Sequence, residues 1–256
     1  MHTSLTGKIA LVTGASKGVG KGIALELAKA GCDVAVNYHR DEAGARATMD
    51  EIVGIGTNAI AVAGDVSQST DVNKMFQEVL EAFGRLDILV NNAGIQTWKP
   101  LLELAEADWD RVLATNLKGN FLCTQQAARL MQADGGAIIN IGSGCNKWPF
   151  RNLVDYTASK GGVEMFTKVA AMELGPHRIR VNCVAPGAIE IERTKTELDD
   201  YAGTWSRLTP LGRIGTPRDI GLAVVFLASE AADFITGQTI WVDGGLYTRP
   251  ASPHEA

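Results

Sequence analysis

The stretch Ile9–Gly20, which reads IALVTGASKGVG, decides the fold. A short apolar run, Ile9–Thr13, leads directly into a turn that holds three glycines, Gly14, Gly18 and Gly20, and a helical pattern follows. The run is too short for a helix and apolar enough for burial on both faces, as strands of a parallel sheet require. Glycine lets the backbone turn tightly between two such elements. The stretch therefore predicts a strand, a turn and a helix at the start of an α/β domain.

The same alternation of strand and helix patterns continues almost to the end of the chain. Further apolar runs predict strands at Val34–Tyr38, Ala59–Ala63, Ile88–Asn91, Ala137–Ile141, Arg180–Val184 and Thr239–Val242. Helical patterns between the runs cover Val19–Ala30, Asp41–Ile52, Val72–Phe83, Asp108–Met131, Val154–Leu174 and Pro217–Ala228. Strict β-α-β alternation produces a parallel sheet with helices on both faces. We predict one α/β domain over residues 1–256, doubly wound around about seven strands.

Composition and charge exclude several classes of protein. The chain has 256 residues and a net charge of −5, and its Lys and Arg residues form no basic stripe that would suit a nucleic acid. No apolar run approaches the roughly 20 residues that span a bilayer, and the N-terminus lacks the pattern of a secretion signal. The cysteines are too far apart for a metal site and suit a reducing compartment: Cys32, Cys123, Cys145 and Cys183. We expect a cytoplasmic protein that acts on a small molecule, without a metal, membrane or nucleic-acid partner.

The glycine turn has the chemistry of a phosphate site. A helix N-terminus presents free N–H groups and positive potential, and glycines allow the backbone to approach a pyrophosphate closely. The Gly-x3-Gly-x-Gly spacing differs from the usual G-x-G-x-x-G of dinucleotide folds, so an ordinary glycine-containing turn stays open as an alternative for the triplet alone. Its place at the first strand–helix junction favours a dinucleotide site. The expected contacts are Gly14, Ser16, Lys17, Gly18, Val19 and Gly20.

The end of the second strand indicates which nicotinamide cofactor binds. Enzymes that use NAD place Asp or Glu there to bond the ribose 2′-hydroxyl, whereas enzymes that use NADP place cations there for the phosphate. This chain has no acid at the strand end and has Arg40 close by, with Lys17 within reach. NADP(H) is therefore favoured, and NAD(H) stays possible because two acids follow Arg40. The expected contacts are Asn37, Tyr38, His39 and Arg40.

A tyrosine and a lysine stand four residues apart on one face of the predicted helix Val154–Leu174. These are Tyr156 and Lys160, while Ser143 follows the fifth strand and Asn116 lies in the preceding helix. Tyrosine, with a pKa of about 10, is a weak base, and lowering its pKa by about two to three units needs roughly 3–4 kcal/mol. One ammonium at about 4 Å supplies about 4 kcal/mol when the effective dielectric constant is near 20.

This set suits the reduction of a ketone, because the alkoxide must take a proton as hydride arrives. We predict that Tyr156 transfers the proton and that Lys160 lowers the pKa of Tyr156. Ser143 would hold the substrate oxygen, and Asn116 would anchor a proton-relay water. A Tyr and a Lys four residues apart also occur on ordinary helices, so the prediction depends on the whole set and on the glycine turn.

With these motifs the chain resembles the short-chain dehydrogenase/reductase family, from about Leu5 to Leu246. The matching elements are Thr13–Gly20, Gly64–Val66, Asn91–Gly94, Asn116, Ser143, Tyr156 with Lys160, and Pro186–Gly187. The resemblance implies a Rossmann-type sheet, an NAD(P)(H)-dependent Ser–Tyr–Lys mechanism, and a second role for Lys160 on the nicotinamide ribose. It also implies cofactor contacts at Asp65, Val66, Asn92, Ala93, Gly94, Tyr156, Lys160, Pro186, Gly187 and Ile189.

The long polar connection at about 189–210 is typical of a functional lid. Family members usually have a threonine five positions after the proline of Pro186–Gly187, where it bonds the nicotinamide. This chain has Ile191 there, and Thr194 follows three residues later. The departure puts the lid's contacts with the cofactor in doubt and leaves the hydride chemistry untouched.

The expected substrate wall mixes apolar and polar side chains. Its members are Gln96, Trp98, Cys145, Asn146, Trp148, Asn152 and Glu190. The mixture favours a sugar or polyol over a sterol. A 3-oxoacyl-carrier-protein reductase or another ketone reductase is the alternative, although no basic cluster suits an acidic carrier. A non-catalytic NADP(H)-binding sensor is a remote alternative, since all four catalytic residues are present.

The resemblance also implies a homo-oligomer, most often a tetramer. The long helices Asp108–Met131 and Val154–Leu174 carry apolar or small residues on more than one face. The family commonly pairs these helices between subunits, and it pairs its last strand, here Thr239–Val242, at a second interface. Burial of the same faces within one subunit is the alternative.

Overall fold

A computed structural model of the chain describes residues 3–194 and 199–248. Residues 195–198 of the predicted lid and the C-terminal residues 249–256 lie outside the described part. One parallel sheet of seven strands organises the described residues, in the order β3-β2-β1-β4-β5-β6-β7. The strands are β1 (Ile9–Val12), β2 (Asp33–Tyr38), β3 (Ala59–Ala63), β4 (Ile88–Asn91), β5 (Gly136–Ile141), β6 (Ile179–Pro186) and β7 (Thr239–Val242). The doubly wound parallel α/β fold is thus confirmed.

Helices cover both faces of this sheet. They are α1 (Gly18–Lys29), α2 (Glu42–Ile55), α3 (Ser69–Phe83), α4 (Glu106–Leu113), α5 (Gly119–Met131), α6 (Val154–Leu174), α7 (Tyr201–Leu208) and α8 (Pro217–Ala228). Successive side chains of a strand point to opposite faces. In β1, Ala10 and Val12 accordingly pack with α1, α2 and α8, whereas Ile9 and Leu11 pack with α3, α5 and α6. No helix within residues 3–194 and 199–248 is long and apolar enough to cross a membrane.

Two predicted elements differ from the structure. The helix predicted over Asp108–Met131 consists of α4 and α5 joined by a π-helical turn at Ala114–Lys118. Such wide turns are rare and occur frequently at functional sites, and this one contains Asn116, which is fully buried. The connection predicted to be a lid includes the helix α7. The carboxylate of Asp200 caps the N-terminus of this helix by accepting a hydrogen bond from the backbone N–H of Gly203.

From β1 the sheet extends in one direction through β2 and β3, and from β4 it extends in the other direction through β5, β6 and β7. The strand order therefore reverses between β1 and β4. A crevice opens at such a reversal, outside the carboxyl ends of the strands, and ligands of parallel α/β proteins bind there. The loops that follow β1, β4 and β5 contain the glycine turn, Asn92–Gly94 and Ser143 respectively. The fold therefore gathers the predicted motifs at one edge of the sheet.

Candidate active site

A cleft of about 1570 Å³ lies at this edge of the sheet. Every residue predicted to contact the cofactor lines it: Gly14, Ser16, Lys17, Gly18, Val19, Gly20, Asn37, Tyr38, His39, Arg40, Asp65, Val66, Asn92, Ala93, Gly94, Tyr156, Lys160, Pro186, Gly187 and Ile189. Of the predicted catalytic residues, Ser143, Tyr156 and Lys160 line it as well. Asn116 does not. The glycine turn and the predicted proton-transfer residues thus share one cavity.

The glycine turn is clamped from two sides by asparagines. Asn37 accepts hydrogen bonds from the backbone N–H of Gly14 at its side-chain oxygen (3.1 Å) and from that of Ala15 at its main-chain oxygen (2.8 Å). Asn92 donates its side-chain N–H to the carbonyl oxygen of Thr13 (2.8 Å). A Cβ atom at Gly20 would overlap the side-chain nitrogen of Asn92 and the carbonyl oxygen of Gly14. Only glycine fits there, so no side chain at this position separates the backbone of the turn from the cleft.

The first turn of α1 leaves its N–H groups for an anion. Gly14 (φ +62°) and Gly18 (φ +57°) have the left-handed backbone that favours glycine. No side chain caps the helix at Lys17 among the described residues. Unpaired N–H groups at a helix N-terminus suit a phosphate. A bare cradle and an uncapped helix together fit the pyrophosphate of a dinucleotide.

Charges at the end of β2 are partly neutralised. The amine of Lys17 lies 3.5 Å from the carboxylate of Asp41. A hydrogen bond from the backbone N–H of Gly44, and then Lys17, hold the pKa of Asp41 below its usual range. His39 lies 3.8 Å from the carboxylate of Asp65. Arg40 is exposed at the cleft, and it is the cation best placed for an additional phosphate.

Lys160 is buried beneath the cleft and close to Tyr156. Its amine donates a hydrogen bond to the carbonyl oxygen of Ile141 at the end of β5 (2.7 Å), and it lies 5.6 Å from the centre of the Tyr156 ring. Burial lowers the pKa of Lys160 to about 8. A cation held at this distance favours the ionised form of the phenol.

The hydroxyl of Ser143 is oriented by the chain that follows β5. Its oxygen accepts a hydrogen bond from the backbone N–H of Cys145 (3.2 Å). Asn146 accepts a hydrogen bond from the backbone N–H of Ser143 (3.2 Å). These two contacts form a capping box that fixes the turn. Ser143 and Tyr156 therefore both border the cleft from fixed backbones.

Asn116 fixes the loop after β4. Its side-chain oxygen accepts from the backbone N–H of Ile95 (2.9 Å), and its side-chain nitrogen donates to the carbonyl oxygen of Ile95 (2.9 Å) and to the hydroxyl of Ser159 (3.0 Å). Both amide hydrogens are thus used within the protein, which sequence reasoning did not foresee. Asn116 joins the loop of Gly94 to the helix of Lys160, and its predicted water-holding role stays a prediction.

A row of buried polar side chains, here called the amide row, lies deeper in the sheet. Asn91 donates to the hydroxyl of Thr124 on α5 (3.1 Å) and to the side-chain oxygen of Asn140 on β5 (2.9 Å). Asn140 donates to the hydroxyl of Thr167 on α6 (2.9 Å). Buried polar groups are costly unless they are paired. The amide row thus ties both long helices to the central strands.

Comparison with known proteins agrees with this geometry. The family model described as enoyl-(acyl carrier protein) reductase matches residues 14–247. The chain is 44% identical to the 3-oxoacyl-(acyl-carrier-protein) reductase FabG of Staphylococcus aureus over 241 residues, which are 94% of this chain and 98% of that protein. The chain belongs to the short-chain dehydrogenase/reductase family. It is accordingly an NAD(P)-dependent oxidoreductase.

Solved structures of the short-chain dehydrogenase/reductase family superpose on the whole fold. A short-chain type dehydrogenase/reductase from Mycobacterium marinum has a TM-score of 0.91 and 40% identity, covering 97% of this chain and 98% of its own. A candidate gluconate dehydrogenase from Agrobacterium tumefaciens has a TM-score of 0.93 and 36% identity, covering 98% and 100%. The family and the nicotinamide chemistry are therefore shown, whereas these names do not agree on one substrate.

Only part of the predicted substrate wall lines the cleft of this short-chain dehydrogenase/reductase. Gln96, Trp98 and Cys145 line the cleft. The other predicted wall residues do not line it within the described part of the chain: Asn146, Trp148, Asn152 and Glu190. Burial raises the pKa of the Cys145 thiol, which agrees with a small wall residue and not with a nucleophile.

Local contacts explain the four positions that face elsewhere. Asn146 is turned back onto the backbone of Ser143. Trp148 packs edge-on against Tyr247, with 6.1 Å between ring centres. Asn152 is an exposed residue with left-handed backbone (φ +66°). Glu190 pairs its backbone N–H with the carbonyl oxygen of Gly215 (2.9 Å).

Aromatic side chains take the place of those polar residues. The cleft-lining members are Phe150, Tyr201, Trp205 and Tyr247. Phe150 lies within the loop predicted to face the substrate, whereas Tyr201 and Trp205 come from α7, which the sequence did not predict. Tyr247 follows the last strand, and the only signal for it was an aromatic residue shortly after Gly244 and Gly245. Burial raises the pKa of Tyr247, so its hydroxyl stays protonated.

The lid replaces the usual family threonine with an apolar contact. A Cβ atom at Gly18 would lie 3.6 Å from the side chain of Ile191, so Ile191 covers the glycine turn. The hydroxyl of Thr194 accepts from the backbone N–H of Ile191 (3.0 Å) and lies 3.1 Å from the carbonyl oxygen of Ile189. Thr194 therefore stabilises the lid itself, and it also lines the cleft.

Proposed function

We propose that this protein is a reductase of small ketones that prefers NADP(H), of the 3-oxoacyl type or acting on another ketone. The observation that carries the proposal is the buried amine of Lys160, held on Ile141 and 5.6 Å from the Tyr156 ring in the cleft that also holds the glycine turn. The 44% identity to a 3-oxoacyl-(acyl-carrier-protein) reductase supports a ketone over a sugar.

Three site residues have different roles in the transfer of a proton to the substrate oxygen. When bound, a reduced nicotinamide supplies the hydride to the carbonyl carbon. Ser143 donates its hydroxyl proton to the carbonyl oxygen as a hydrogen bond, and the backbone N–H of Cys145 holds its own oxygen. Tyr156 gives its phenolic proton to that oxygen, and Lys160 stabilises the phenolate that remains. Because the pKa of Lys160 is about 8, the amine is also suited to relay a replacement proton near neutral pH.

The preference for NADP(H) depends on Arg40. This side chain is exposed at the cleft beside the end of β2, and a guanidinium suits a phosphate monoester. Lys17 contributes less, because Asp41 lies 3.5 Å from its amine. NAD(H) is the alternative cofactor.

Oxidation of a sugar acid or polyol is a second candidate. The likeness to a candidate gluconate dehydrogenase favours it, and Gln96 offers an amide at the wall of the cleft. The aromatic side chains there favour the ketone, since they offer few partners for many hydroxyls.

We include a cytoplasmic homotetramer and a substrate lid at about 189–210 in the proposal. Large apolar side chains are exposed on α5 and α6, where two subunits of the family would pair: Phe121, Met165, Val169 and Met172. All four cysteines are buried and free, as a reducing compartment requires. Sedimentation measurements would test the tetramer.

A turnover assay tests the proposed reaction. The purified protein should oxidise NADPH in the presence of ethyl 3-oxohexanoate and should reduce NADP+ much more slowly with glucose or gluconate. Tyr156→Phe should lower kcat by at least about a hundredfold, in line with the loss of a general acid, while NADPH still binds. Thr157→Val is the control, because it removes a hydroxyl from the next residue of the same helix and leaves Tyr156 and Lys160 in place.

The outcomes separate the two candidates. Faster turnover of the sugars than of the ketone would overturn the proposal in favour of the second candidate. Turnover in Tyr156→Phe close to that of the unaltered protein would overturn the mechanism. Binding of NADPH without turnover of any substrate would support a non-catalytic sensor instead.

A further inference from the structure

Aromatic rings form one wall of the cleft beside the predicted catalytic residues. Phe150, Trp205 and Tyr247 line the same cavity as Ser143 and Tyr156. The ring of Tyr247 lies directly on the residue after Ser143, because a Cβ atom at Gly144 would overlap its ring carbons and hydroxyl oxygen. The rings therefore begin where the reacting carbonyl would be held.

These rings form a corner and not a flat platform. Phe150 meets Trp205 with 6.2 Å between ring centres and 67° between planes, and it meets Tyr247 at 6.4 Å and 81°. Tyr201 extends the corner from the lid side, 6.2 Å from Trp205. We call Phe150, Trp205 and Tyr247 the aromatic corner.

Further rings hold the aromatic corner in place. Trp148 and Trp241 pack against Tyr247, at 6.1 and 6.3 Å between ring centres, and neither lines the cleft. A wall backed in this way keeps its shape when a ligand enters. The faces and edges that it presents to the cleft are therefore preorganised.

The aromatic corner should bind a flat ring more tightly than a flexible chain or a polyol. Aromatic pairs gain from offset-stacked and edge-to-face contacts beyond the area that they bury. A planar ring lying against one face of the corner meets the edge of the next ring, so it makes both kinds of contact at once. A polyol would instead need a hydrogen-bond partner for each hydroxyl that loses water, and beyond the Tyr247 hydroxyl and the buried indole N–H of Trp205 these rings offer none; an unpaired hydroxyl is costly. A flexible chain would lose rotational freedom in filling the same space.

We infer that the substrate carries its ketone on a flat aromatic or fused ring, and that Phe150 and Trp205 select it. This inference rests on the proposed ketone reduction, and it names the substrate class of that site. Cys145 and Leu153, small and aliphatic, complete the wall beside the rings. Ser143 and Tyr156 supply the polar contacts for the carbonyl oxygen, which is the single polar group that such a substrate needs to present.

Binding measured by calorimetry tests the inference without turnover. The protein is saturated with NADPH, which cannot react with an alcohol, and is titrated with 2-naphthol or with decahydro-2-naphthol, which has the same carbon skeleton but is saturated and puckered. The flat alcohol should bind at least about tenfold more tightly, which corresponds to about 1.4 kcal/mol. Phe150→Leu and Trp205→Leu should each remove most of that preference while leaving the affinity for the puckered alcohol within about twofold. Phe234→Leu is the matched control, since this ring is fully exposed and does not line the cleft.

Equal affinities for the two alcohols would overturn the inference, and so would equal losses of both in the Leu variants. Two positions are tested so that a folding defect in one variant, seen as a lowered Tm, does not decide the result. Turnover of 2-tetralone and of ethyl 3-oxohexanoate separates this inference from the proposed function. If only the open-chain ketone is reduced, the ketone reductase stands and the ring preference falls. If neither is reduced although 2-naphthol binds selectively, the ring site stands and the ketone reductase falls.

Discussion

Removing the charge of Lys160 should raise the pKa of Tyr156. In Lys160→Met the side chain keeps a similar length and shape but loses the ammonium. The amine lies 5.6 Å from the centre of the Tyr156 ring. At that distance a unit charge contributes about 3 kcal/mol when the effective dielectric constant is near 20, which corresponds to about two pKa units.

The measurement is the pH dependence of kcat/KM for alcohol oxidation with NADP+, the direction in which Tyr156 acts as the base. Activity in the unaltered protein should rise with pH as the phenol ionises and then level off. In Lys160→Met the same rise should move to higher pH by about two units, and kcat/KM below the rise should fall about a hundredfold. The alcohol used is the product of whichever ketone the protein reduces.

A matched control separates charge from packing. Lys168→Met removes an ammonium from the same helix, where Lys168 pairs with Glu164 on the surface (3.1 Å), and it should leave the profile in place. Lys160→Met also leaves the carbonyl oxygen of Ile141 without its donor, which costs about 1–3 kcal/mol of stability and is checked by the Tm. A variant that folds, binds NADP+ and loses activity with no displacement of the profile would refute the electrostatic reasoning.

Three further predictions concern the cofactor and the glycines. Arg40→Asp should weaken NADPH binding at least about tenfold, because one charge-assisted contact is lost, and it should affect NADH binding little. Fluorescence titration measures both affinities, with Arg46→Asp on the outer face of α2 as the control. Equal losses for both cofactors would show that the phosphate does not bind at Arg40. Gly20→Ala should abolish dinucleotide binding because its Cβ atom would overlap Asn92 and the turn. Gly54→Ala, where a Cβ atom meets nothing within 4 Å inside α2, should raise the free energy of unfolding by about 0.5–1 kcal/mol in urea titrations.

The sequence predicted the sheet, and it predicted residues that share one cleft beside the glycine turn, because both depend on local patterns. Short apolar runs mark buried parallel strands, and the helix predicted over Val154–Leu174 agrees with α6 at both ends. The glycine turn depends on positive φ angles at Gly14 and Gly18. A glycine in the sequence already indicates that such an angle is accessible. Tyr156 and Lys160 share a helix, so their spacing alone brings them together.

The substrate side could not be predicted because it depends on contacts between distant segments. Trp148 and Phe150 are two residues apart in one loop, yet Phe150 lines the cleft and Trp148 packs behind Tyr247. Trp205 enters through a helix in a segment with polar composition. The π turn around Asn116 was also hidden, because its sequence continues a helical pattern on both sides. Only the packed structure distinguishes these cases.

The amide row makes the helix that carries Tyr156 and Lys160 rigid, whereas the segments that carry the aromatic rings lie outside it. Asn140 and Thr167 are fully enclosed, and any sliding of α6 along β5 would leave their polar atoms with no substitute partner. The helix that presents Tyr156 and Lys160 is therefore set at one height before any ligand arrives. The rings of the loop and lid pack edge-on against one another, and such apolar contacts tolerate exchange far better than polar ones. New substrate preferences could thus arise by altering the rings, one at a time, while the reacting groups keep their alignment.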